Sequence, residues 1–151
     1  MLSSNAFAGD MTTELSRSNK AVSNWLFFGV FMLIVQILLG GITRLTGSGL
    51  SITEWDVVTG TLPPLSESAW LTEFDKYKTT PQFKLLNTDF TISDFKFIFF
   101  WEWFHRLWAR IMGMVFAIGF VYFLSKRYFK KEMVTPLVIL FVLGALQGAV
   151  G

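Results

Sequence analysis

The residues best equipped for chemistry fall together: Glu102, His105, Arg106 and Arg110 stand within nine positions of the run FKFIFFWEWFHRLWAR. Spacings of three and four put them on one broad helical face with Ala109 and Gly113. Each charge near a bilayer centre costs at least about 2.5 kcal/mol on insertion scales. Four polar groups on one face of an otherwise apolar helix therefore turn toward protein or a ligand, not toward lipid. Three chemistries fit. A Glu–Arg pair could orient helices, with His105 only hydrogen-bonded. The same groups could form a proton or ion path. A metal or haem site would need an imidazole inside a bundle, a basic group for propionates, and aromatic or small residues to wall a flat macrocycle; Trp101, Trp103, Trp108 and Gly113 answer that last need. His105 is the single histidine of 151 residues and cysteine is absent. Disulfides, thiolate ligation, cysteine-held iron–sulfur clusters and cysteine nucleophiles are thus excluded within this sequence. A site requiring two imidazoles cannot be completed from it alone.

The elements that must carry these groups are membrane spans. The sequence is 52% hydrophobic and 16% charged, against roughly 25% charged in an average soluble domain, and its mean hydropathy is +0.49. Between Lys20 and Arg44 no residue is ionisable, a length that crosses a hydrocarbon core of about 30 Å as a helix. We read residues 21–43 as transmembrane helix 1, preceded by a flexible cytoplasmic tail, residues 1–20. That tail holds Asp10 and Glu14, unlike a transit peptide, and is too polar for a cleavable signal. Residues 93–125 form transmembrane helix 2, capped by Thr91 or Ser93 beside Asp94. Residues 133–151 form transmembrane helix 3, with Pro136 in its first turn, and the sequence stops there without charge, aromatic anchor or tail, as a truncated span would.

Lys126, Arg127, Lys130 and Lys131 lie in the short connection at residues 126–132, which the positive-inside rule places in the cytoplasm. The loop at residues 44–92 is then external, and a connection of that length is commonly functional or separately packed. Within it Trp70, Phe74 and Tyr77 repeat at helical spacing in ESAWLTEFDKYK, an amphipathic helix suited to lying on the membrane surface as a lid or an interfacial anchor. Counting about 20 residues, roughly 30 Å, back from Ser125 reaches His105, so the charged turn sits near the outer interface beneath this loop. At the exit of helix 1, GGITRLTGSGLSITEW matches neither a P-loop nor a dinucleotide fingerprint. Its Arg44 could meet a lipid headgroup or an anionic ligand group. A net charge of +2, spread as loop flanks, predicts no nucleic-acid partner. The reading is an all-α polytopic membrane helical bundle with lipid as its surroundings.

The ordered runs GGITRLTGSGLSITEW, TGTLPPLSESAW, FDKYKTTPQFKLLN, FKFIFFWEWFHRLWARIMG and GALQGAVG resemble the start of the haem A synthase family, of the cysteine-free proteobacterial and mitochondrial type. The resemblance covers about Gly40 to Gly151 and implies an amino-terminal fragment, three helices of eight in two pseudo-symmetric four-helix bundles. It implies an oxidoreductase that converts a methyl group of haem O, through an alcohol, to the formyl group of haem A for cytochrome oxidase assembly, and a fragment inactive alone. His105 would be the helix 2 iron ligand of the substrate-haem bundle and Glu102 the essential carboxylate, accepting protons or stabilising a cationic intermediate. Arg106, Arg110 and Arg44 would face Glu102 or propionates. The axial partner and the second haem, haem b, would belong to later helices. The expected partners are haem O, a haem O synthase and a quinol or ferredoxin-like electron donor, and the expected location is the bacterial inner membrane or its mitochondrial counterpart. Ala109 stands where the family often has glycine, Gly119 where it has proline, Val57 where it has proline and Gln82 where it has glutamate. The other classes in play are a bis-histidine b-type cytochrome and a non-haem assembly or channel subunit.

Overall fold

The computed structural model describes the backbone of residues 2–53 and 62–150, with side chains from 18–53 and 62–148. It contains α1 (Leu2–Leu45), α2 (Glu67–Lys78), α3 (Pro81–Leu86), α4 (Ile92–Ser125) and α5 (Lys131–Val150), and no strand among the described residues. Three segments are long and apolar enough to cross a membrane: Ser18–Leu45, Ile92–Ser125 and Lys131–Gly148. They expose large apolar side chains such as Phe27, Ile37 and Ile118. A helix apolar on nearly every side belongs in lipid rather than on a soluble core.

Two expectations are corrected. The tail expected to be flexible continues α1 back to Leu2; residues 1–20 contain no proline and a single glycine, Gly9, so nothing in them breaks a helix. Pro136 lies beyond the first turn, because α5 starts at Lys131. There the ring removes the bond to the Glu132 carbonyl, a cost confined to the start of the span.

The helix ends follow from local sequence. Gly47 has φ +63°, and its N–H reaches the Arg44 carbonyl (3.2 Å) while Ser48 N–H reaches that of Thr43 (2.8 Å). This pair of bonds is a Schellman termination. The same geometry ends α4, with Arg127 at φ 57°, Arg127 N–H on Leu124 (3.0 Å) and Tyr128 N–H on Phe123 (2.9 Å). Thr91, not Ser93, caps α4: Thr91 N–H and Oγ1 both donate to Asp94 Oδ2 (2.9 and 2.6 Å). Ser66 and Thr80 cap α2 and α3, accepting from Ala69 and Phe83 N–H; Pro81 occupies the first turn of α3, where its missing N–H costs nothing.

The molecule divides into two compact units, Met1–Ile34 with Ile111–Gly151, and Val35–Arg110. In the first, the Trp25 ring packs on Phe116, Phe123 and Phe129, and its indole N–H points to the Val115 carbonyl at 3.4 Å. Gly119 makes room for it: a Cβ there would fall within the Trp25 ring. Gly119 is therefore a seat for an aromatic side chain.

In the second unit, α2 folds its aromatic stripe onto the first turns of α4. Phe74, Tyr77, Phe95, Ile98 and Phe99 form a buried cluster flanked by Trp70 and Phe83. Tyr77 and Phe74 each lie 5.2 Å from Phe95, and Trp70 meets Phe99 edge-on at 5.0 Å. The Tyr77 hydroxyl accepts from Asn87 Nδ2 (2.7 Å). The stripe is thus a small core fixed to α4, not an apolar face left for the membrane surface.

Candidate functional site

Glu102 sits one turn before His105 on α4 and is only 3% exposed. A carboxylate so buried needs partners, and it has them from another part of the chain. Its Oε2 accepts from Ser51 N–H (2.7 Å), Ser51 Oγ–H (2.7 Å) and Ile52 N–H (2.9 Å). Its Oε1 is paired with Arg106 Nη2 at 2.6 Å.

The turn that supplies these donors is itself tightly determined. The Schellman stop at Gly47 reverses the chain as α1 ends. Ser48 and Ser51 are then buried to 0% and 1% exposure. Ser51 N–H also reaches the Ser48 carbonyl (3.3 Å), which lies 3.1 Å from Ser51 Oγ, whose one proton goes to the shorter contact with Glu102. Ser48 Oγ meets Thr46 Oγ1 at 2.5 Å. Thr43 Oγ1 donates to Leu39 (2.9 Å) and approaches the Trp101 carbonyl of α4 (3.5 Å). From α3, Gln82 Nε2 donates to the Gly47 carbonyl at 2.6 Å. An ionised glutamate at position 82 would have no proton to give there, so the amide supplies the donor.

His105 is half-buried, and among the described residues its imidazole makes no hydrogen bond. Its Nε2 faces Gly40 of α1, where a Cβ would stand 3.3 Å away. Glycine thus lets α1 approach the imidazole closely, where any side chain would press on Nε2. Two buried polar atoms near this contact lack a partner among the described residues: Gln36 Oε1, one turn from Gly40 on α1, and Trp101 Nε1, one turn from His105 on α4. Buried polar atoms are rarely left unpaired in native proteins. A free imidazole, a side-chain-free wall, an orphan acceptor and an orphan donor fit a large ligand such as haem.

The structure brings Glu102, His105 and Arg106 together and places Arg110 a turn further along the same helix. It does not bring Arg44 to them: that side chain is exposed at the carboxy-terminal end of α1, where a cation suits the helix dipole. Gly113 lies in the other compact unit. Glu54, Asp56 and Val57 lie outside the described residues. Sequence reasoning missed Ser51, Ser48 and Gln36, whereas Gly40 stood out as a glycine that allows close helix approach. A signal was present for the serines, since small hydroxyl residues after a glycine stop often turn back on the chain, but no spacing links Ser51 to Glu102 across 51 positions.

A helical membrane protein with an imidazole and a tethered carboxylate on one span is the class these observations define. Residues 23–151 match the model of the cytochrome oxidase assembly protein family, and the chain belongs to that family. It is 50% identical over 137 residues to a protein of Flavobacterium psychrophilum named heme A synthase, covering 89% of this chain and 40% of that relative. It is 53% identical over 133 residues to the heme A synthase of Novosphingobium aromaticivorans (87% and 38%). It is 50% identical over 131 residues to that of Paracoccus denitrificans (87% and 34%). The chain therefore spans about 40% of the length of curated relatives it matches. No solved structure matches it.

Proposed function

We propose that the whole protein is a haem A synthase of a bacterial inner membrane, oxidising the methyl group of haem O to the formyl group of haem A. The observation that carries this reading is the unbonded His105 imidazole facing Gly40, one turn from a carboxylate that has been given defined partners. Haem, when bound, supplies the iron and the methyl carbon that is oxidised.

This chain's own residues then divide the work. His105 would hold the haem iron through its imidazole. Gly40 lets α1 pack close to that imidazole. Trp101 Nε1 and Gln36 Oε1 offer a donor and an acceptor to its polar substituents. Arg106 and Arg110 balance Glu102 or propionates, with planar donors suited to carboxylates. Glu102 stands ready to take a proton as the methyl group is oxidised. Because Oε2 already accepts three bonds, the oxygen for that proton is Oε1, beside Arg106. A further iron ligand and a haem b site would come from other segments of the whole protein, with a haem O synthase and a quinol or ferredoxin-like electron donor as partners. The basic connection at Lys126–Lys131 faces the cytoplasm.

The test is co-expression of the whole protein with a haem O synthase, followed by extraction and chromatography of the haems. Haem A is expected; haem O alone, with haem still bound to the protein, would indicate an electron-carrying cytochrome instead. His105→Ala is expected to lower bound haem by one equivalent. An unchanged stoichiometry and absorption spectrum would remove His105 from the ligand set.

A further inference from the structure

A carboxylate that serves a reaction must be held in one orientation, and two of the bonds that hold Glu102 come from one residue. Resting on that functional reading, we propose that Ser51 is the positioning residue of Glu102. Its N–H and hydroxyl together set the carboxylate that serves the oxidation, and so couple the turn leaving α1 to the helix that carries His105.

Ser51 gives two of the three donors on Oε2, both at 2.7 Å, and the third comes from its neighbour Ile52 at 2.9 Å. Both partners are almost fully buried, and hydrogen bonds to an ionised acceptor are roughly twice as strong as neutral ones. The donors are also fixed in advance. The Gly47 stop, the Ser51 N–H contact with the Ser48 carbonyl and the Gln82 tie to Gly47 determine where the turn lies. With Oε2 filled in this way, the carboxylate cannot rotate about its last bond without losing three bonds. Oε1 is thereby kept toward Arg106.

The experiment uses the whole protein in membranes supplied with haem O. Ser51→Ala keeps the backbone donors and removes the hydroxyl. It is expected to retain both haems while slowing haem A formation roughly 10-fold, the order of effect of losing a hydrogen bond to a charged group. Ser51→Thr keeps the hydroxyl and is expected to restore most of the rate. A second readout does not depend on turnover. In protein labelled with carbon-13 glutamate, the infrared carboxylate band that Glu102→Gln abolishes is expected to shift in Ser51→Ala and to return in Ser51→Thr. An unmoved band, an unchanged Ser51→Ala rate, or a threonine variant as slow as alanine would each overturn the proposal. A wild-type protein that forms no haem A overturns the functional reading beneath it, whereas an active wild type with an unaffected Ser51→Ala overturns the proposal alone.

Discussion

At the scale of single residues, Gly40 and Glu102 give contrasting lessons. Gly40→Ala ordinarily favours a helix by up to about 1 kcal/mol, but here the new methyl group meets His105 Nε2 at 3.3 Å. We expect weaker haem binding by roughly 10-fold, in line with the cost of overpacking, and a perturbed Soret band. Gly41→Ala, with nothing within 4 Å of its Cβ, is the control and should leave the spectrum unchanged. If the two variants behave alike, the Gly40–His105 contact has no bearing on the site. Glu102 was legible as a functional group because an acidic residue inside a membrane span demands a partner. Its i,i+4 partner Arg106 was legible as well, since both lie on one helix. Ser51 and Ile52 were not, because a hydrogen bond across a long loop leaves no period in the sequence.

At the scale of elements, the three spans were legible because lipid imposes a simple rule: about 20 apolar residues with their backbone bonds satisfied internally. The ESAWLTEFDKYK helix was legible from its aromatic repeat, and α2 occupies that segment, Glu67–Lys78. What its stripe packs against was not legible, because periodicity names a face and not its partner. Helix α3 was missed because a six-residue helix, Pro81–Leu86, is too short to show a period; its Thr80–Pro81 start was the only available cue. The Trp25 seat also belongs to this scale. Gly119→Ala should lower the unfolding temperature in detergent, a loss of about 1–3 kcal/mol from overpacking, and Trp25→Ala should relieve most of it. Gly113→Ala, whose Cβ would meet nothing within 4 Å, should be neutral or slightly stabilising. Equal effects at positions 113 and 119 would mean that the indole is not seated on Gly119.

At the scale of the whole molecule, the distribution of charge decides orientation. The chain contains no cysteine, so single cysteines can report sidedness without background from these residues. Asp75→Cys on exposed α2 should react with a membrane-impermeant maleimide added to intact spheroplasts. Lys126→Cys should react only after permeabilisation. The reverse pattern would invert the assigned topology and put the charged turn of α4 at the cytoplasmic face. The span α5 exposes Ile139, Leu140 and Leu143, in keeping with a lipid surrounding.

The left-handed residue at the end of α4 has a consequence of this larger kind. A glycine would adopt φ 57° freely, whereas an L side chain there is strained by about 1–2 kcal/mol. The position nevertheless holds Arg127, one of four cations in the short connection. On the orientation given above, conformational ease has been given up for an address label: the charge that tells the insertion machinery which end stays behind. Arg127→Gly should then yield a population that is individually more stable but contains more molecules threaded backwards.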